Sequence, residues 1–130
     1  MEEWQLDFEW LRIRHLVKDA MGKKDLPDLQ SILYLIGIQE LGRWDGEKQF
    51  TKEEKQDLMH IAVCTLLEDE GYFKFEGRDQ DGWPHWKEIK SFKISGLAKQ
   101  ENFLKTKVIG YFQAMEKLEN DSIKIETKKQ

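Results

Sequence analysis

The chain has 130 residues, the length of one ordinary domain that closes a core without metal or disulfide support. Charged residues make up 35% and apolar residues 39%, with a net charge of -4, so a solvated shell around an aromatic-rich interior is expected and nucleic acid and anionic membranes are disfavoured as partners. The single cysteine excludes an intramolecular disulfide and any paired-cysteine zinc motif, and no apolar run approaches the ~18 residues of a membrane span, so a cytoplasmic protein without a membrane anchor is expected.

From Trp4 to Met21 the residues Leu6, Trp10, Ile13, Val17 and Ala20 recur at helical spacing, and Trp4, Phe8 and Leu11 add a flanking stripe. Together they predict a first helix with one broad buried face, ended by Gly22. Pro27 suits the first turn of a second helix, whose run Leu29 to Leu41 stops at Gly42. That run is apolar in every direction, which places it at the centre of the domain, and Gly37 leaves room for a close neighbour. Arg43 to Phe50 reads as a loop containing Asp45-Gly46, followed by Thr51-Lys52-Glu53-Glu54, the pattern of a capping box. A third helix follows, with Leu58, Met59, Ile61, Ala62, Val63, Leu66 and Leu67 as its apolar residues. Its end, Glu68-Asp69-Glu70-Gly71, sets acids where the helix dipole prefers cations, so solvent or a partner is expected to screen them.

Tyr72 to Glu76 and Trp83 to Ile89 have strand composition and flank the turn formers Gly77 to Gly82. Pairing Phe75 with Pro84 puts Phe73, Phe75 and Trp86 on an inner face, and strands Tyr72, Trp83 and His85 on an outer one beside Lys74 and Lys87. Leu97, Leu104, Val108, Tyr111, Met115 and Leu118 predict a long last helix. The fold class is therefore mainly α with a small β-hairpin (α+β): about four helices, the second and third central, the hairpin between the third and fourth. Residues 1–119 form one domain, with the hairpin at about 72–90, and residues 120–130 form a flexible polar tail.

Within the third helix Asp57, His60, Cys64 and Glu68 make a polar stripe, with His60 and Cys64 one turn apart as zinc ligands can be. A zinc site needs at least three ligands, so Asp57, His60 and Cys64 are weak metal candidates and no cofactor is expected. The hairpin loop sets Asp79, Asp81, Gly82 and Glu88 at four positions of a calcium loop, but Gly77 stands where the first ligand belongs, which leaves an acidic turn. No phosphate-binding glycine loop, nucleophile elbow or zinc-protease motif is present.

Three helices followed by a hairpin are similar in layout to the winged-helix architecture, which implies a nucleic-acid-binding regulator with its recognition helix at Thr51 to Asp69. The front of that helix carries Glu53 and Glu54, which repel phosphate. The favoured reading is a non-enzymatic protein-interaction or adaptor domain. It docks a protein partner or a second copy of itself through Tyr72, Trp83, His85 and Trp86, with Trp44 as a further binding residue. The alternatives are the winged-helix-like regulator and a small metal-dependent enzyme using Asp57 and His60.

Overall fold

The computed structural model describes residues 1–42, 50–92 and 96–128, with side chains to residue 121. Four helices and one antiparallel hairpin make up the described residues: α1 (Glu3–Ala20), α2 (Leu29–Leu41), α3 (Lys52–Leu67), a 3-10 turn (Glu68–Glu70), β1 (Phe73–Arg78), β2 (Pro84–Glu88) and α4 (Leu97–Lys128). The α+β architecture expected from the sequence is thus present, with the hairpin between α3 and α4. No helix among the described residues is long and apolar enough to cross a membrane.

The helix starts follow the local chemistry. Thr51 Oγ1 accepts from Glu54 N at 3.1 Å while Glu54 Oε1 accepts from Thr51 N at 2.9 Å, the reciprocal capping box. At α2 the cap is Asp28, whose carboxylate accepts from Ser31 N at 2.8 Å. Pro27 therefore precedes the cap instead of occupying the first turn. Its carbonyl accepts from Arg14 Nε at 2.8 Å, which ties the linker back to α1. Helix α2 ends at Gly42, in the left-handed region at φ 80°.

The core is centred where the sequence places it. Ile32, Leu33 and Ile36 of α2 are buried with Ala62 and Leu66 of α3, Val108 and Ile109 of α4, and Trp10, Ile13 and Val17 of α1. The α2–α3 crossing depends on Gly37: a Cβ there would lie 2.0 Å from the carbonyl oxygen of Leu58. At the end of α3 the acidic turn is screened from within the chain. Lys107 of α4 donates to Asp69 Oδ1 and Oδ2 at 3.1 Å and to Glu70 Oε1 at 2.6 Å. Those hydrogen bonds raise the Lys107 pKa against the lowering effect of its burial.

Three further expectations are corrected. The stripe Trp4, Phe8 and Leu11 is not buried: these side chains are 68%, 63% and 45% exposed. At 100° per residue the stripe points about 160° away from Leu6, Trp10, Ile13 and Val17, so α1 is apolar on two nearly opposite faces and α4 covers only one.

The hairpin register is shifted by two residues. Phe75 pairs with Trp86, not Pro84, and Phe73 with Glu88. Arg78 explains the shift, because its guanidinium donates to the α2 carbonyls of Glu40 at 2.7 Å and Leu41 at 3.0 Å, and to Gly82 O at 2.8 Å. These bonds hold the strand extended through residue 78, and a bulge between Phe75 and Gly77 absorbs the additional residue, with Gly77 at φ 105°.

The third correction concerns the outer face. Tyr72 and Trp83 are half-buried instead of stranded outside, whereas Phe75, expected inside, is 43% exposed. Alternation of faces governs only residues inside the ladder. Tyr72 precedes the ladder and packs edge-on against Phe92, and Trp83 belongs to the turn and packs on Leu41, Leu58 and Ile61.

Candidate functional site

The polar stripe of α3 and the aromatic hairpin, separate in the sequence, meet in one open cleft of about 340 Å3. Its walls are Asp57, His60 and Ile61 from α3, and Asp79, Trp83, Pro84, His85 and Trp86 from the hairpin. The α3 wall forms because the first two members of the stripe lie three residues apart, on one helix face.

Asp79 builds the opposite wall. Its Oδ1 accepts from the backbone N–H groups of Asp81 at 2.9 Å and Trp83 at 3.0 Å, and its Oδ2 pairs with His85 Nε2 at 2.9 Å. One carboxylate thus shapes the turn and orients the imidazole. The hydrogen bond with His85, then that from Trp83 N–H, holds the Asp79 carboxyl below its ordinary range. The loop that partly matched a calcium site spends its acid on its own backbone.

Asp57 is exposed and has no hydrogen bond or ion pair among the described residues. His60 is held differently. Its Nε2 lies 3.5 Å from Cys64 Sγ and its ring stands edge-on to Phe73 at 5.8 Å. Burial pushes the Cys64 thiol up to about 12, so it stays protonated at neutral pH. Cys64 itself is fully buried with Leu67 and Phe73, and is not part of the cleft. The metal candidates Asp57, His60 and Cys64 therefore separate into two exposed groups and one core thiol. Among the described residues no three His, Cys, Asp or Glu side chains converge to hold a metal ion.

Of the expected docking residues, Trp83, His85 and Trp86 line the cleft. Tyr72 does not: it packs edge-on against Phe92, and the ammonium of Lys90 lies 4.5 Å from its ring centroid. Trp44 lies outside the described residues. Trp86 tilts against Phe75 at 5.3 Å, and its indole Nε1 is a buried side-chain donor without a partner among the described residues.

Sequence reasoning did not select Asp79, Pro84 or Arg78 as site-forming residues. The signal for Asp79 was present, since an Asp two and four residues before turn N–H groups is the pattern of an Asx turn. For Arg78 there was none, because two of its three acceptors are carbonyls at positions 40 and 41.

A second, larger concavity of about 1090 Å3 lies between α1, α2 and α4, with Leu16, Met21, Leu35, Phe112 and Met115 among its apolar walls. It gathers none of the candidate site residues selected from the sequence. Comparison with protein-family models, with curated proteins and with solved structures found no match for this chain.

Proposed function

We propose that the chain is a non-enzymatic protein-interaction domain that takes a basic side chain of a partner protein, an arginine, in the cleft between α3 and the hairpin. The observation that carries this reading is the Asp57 carboxylate, exposed and without an ion pair among the described residues, lining one cleft with Trp83 and Trp86. A guanidinium stacks on an indole face and forms paired hydrogen bonds to a carboxylate, a combination that an ammonium or a neutral amide does not match. The imidazoles of His85, held by Asp79, and His60 line the same cleft and supply hydrogen-bonding groups for the peptide on either side. The net charge of -4 favours approach of a basic segment. The nucleic-acid and metal-dependent readings draw no comparable support: Glu53 and Glu54 lie in the first turn of α3, where a recognition helix would meet phosphate, and Asp57 and His60 have no third ligand among the described residues.

The test is a calorimetric titration with acetyl-Gly-Arg-Gly-amide and its Gln counterpart. The arginine peptide should bind with a Kd of order 1 mM or tighter, the glutamine peptide at least tenfold more weakly, and Asp57→Asn should weaken arginine binding about fivefold, equivalent to ~1 kcal/mol. Equal affinity for the two peptides, or no change in Asp57→Asn, contradicts the reading.

A further inference from the structure

We infer that the outer face of α1 is a self-association surface on which a second copy of this chain packs its own α1 in antiparallel orientation. Trp4, Phe8, Leu11 and His15 follow the four-three-four spacing of a helix–helix seam, and all four are exposed. Among the described residues α1 is bound to the domain by its far side, through Leu6, Trp10, Ile13 and Val17. The outer face is also separate from the cleft, whose walls come from α3 and the hairpin.

Charge fixes the orientation. Beside this face the first half of α1 carries Glu3 and Asp7 without a base and the second half carries Arg14 and Lys18, whereas Glu9 and Arg12 pair with each other and Arg12 also with Glu116 of α4. Parallel pairing would align acid with acid and base with base. Antiparallel pairing about a two-fold axis between Phe8 and Leu11 brings each acidic half against a basic half, as an isologous contact requires. In that register Trp4 faces His15 of the second copy, Phe8 faces Leu11, and Asp7 comes beside Arg14 at both symmetry-related positions. Arg14 uses Nε on the Pro27 carbonyl, which leaves its terminal nitrogens for Asp7.

Area sets the strength. Two aromatic side chains of about 150–250 Å2 each, roughly two-thirds exposed, together with Leu11 and the flanking stems, bring about 500–600 Å2 per copy to the seam, at the low end for specific interfaces. The association is accordingly a weak one, with a dissociation constant of tens to hundreds of micromolar, on the order of -5 to -6 kcal/mol.

Sedimentation velocity from about 5 μM to 1 mM, a range chosen to bracket that constant, should resolve a monomer–dimer equilibrium. Phe8→Glu should leave the far-ultraviolet circular dichroism unchanged, since this side chain is 63% exposed, and shift the equilibrium at least tenfold towards monomer. Under mild oxidation with glutathione disulfide, the double variant Trp4→Cys/His15→Cys should form intermolecular disulfides between positions 4 and 15, and Trp4→Cys alone should form none; the native Cys64 is buried and contributes no background. A chain that stays monomeric to 1 mM, a dimer insensitive to Phe8→Glu, or a 4-to-4 crosslink overturns the inference. Each of these results leaves the cleft reading untouched.

Discussion

Cys64 shows how burial redirects a side chain that the sequence placed on a polar stripe. At 0% exposure, between Leu67 and Phe73, its thiol is removed from solvent and the thiolate is disfavoured first by desolvation, with the charge of Glu88 adding to it. The folded thiol, at about 12, keeps its proton to higher pH than the unfolded one, at its ordinary 9.0. The unfolded chain therefore binds fewer protons between those values, so this residue's contribution to stability is complete below pH 9 and is lost as pH rises towards 12. Tyr111, raised first by burial and then by its hydrogen bond to Glu40 Oε1 at 2.8 Å, acts in the same direction. Urea denaturation at pH 8 and pH 10 should show a lower unfolding free energy at the higher pH, and a smaller difference in Cys64→Ala. A thiol reagent should label the native protein slowly and the urea-unfolded protein at once. Fast native labelling would contradict the assignment.

At the scale of elements, what the sequence discloses depends on how far each determinant reaches along the chain. The capping box at Thr51, the stop at Gly42 and the all-round apolar run of α2 are legible because their chemistry closes within one turn or along one periodic segment. The hairpin register is not, since Arg78 sets it through α2 carbonyls 37 and 38 residues away. The exposed face of α1 is half legible: the periodicity marks Trp4, Phe8 and Leu11 as one stripe, but a helix apolar on two sides does not reveal which side its own chain covers. Gly37 lies at the legible end, and its prediction is sharp. Gly37→Ala would force a Cβ to 2.0 Å from Leu58 O, against backbone that cannot rotate away. It should separate α2 from α3 and destabilise the fold by roughly 3 kcal/mol, where the helix propensity of alanine alone would stabilise it by about 1. Chemical denaturation decides between them, and an unchanged or raised midpoint would contradict the close crossing.

Over the whole molecule, the cleft is a product of tertiary structure acting on residues that the sequence ranks for different reasons. Asp57 and His60 stood out as part of a helical stripe, and Trp83, His85 and Trp86 as part of an aromatic ribbon. Packing of the hairpin against α3 turns the two features into opposite walls of one site. Nothing local signals that meeting, because the two sets touch only after α3, the acidic 3-10 turn and the hairpin are in place. The same packing takes Tyr72 out of the docking surface, and it converts Trp83 from a projecting ring into one that both seals the Leu41, Leu58 and Ile61 cluster and walls the cleft. The geometry leaves a small acidic and aromatic recess on one flank of the domain and an apolar helix face on another.

The tryptophans offer a direct readout of where a guanidinium settles. The chain has 5 Trp, of which Trp83 and Trp86 line the cleft and Trp4 projects from α1. In nitrogen-15 correlation spectra, titration with N-acetyl-argininamide should move the indole N–H signals of Trp83 and Trp86 along a saturable curve and leave Trp4 in place, and N-acetyl-glutamine amide should move neither. Indole signals of Trp83 and Trp86 that stay fixed, or that shift equally for the neutral amide, would contradict the account.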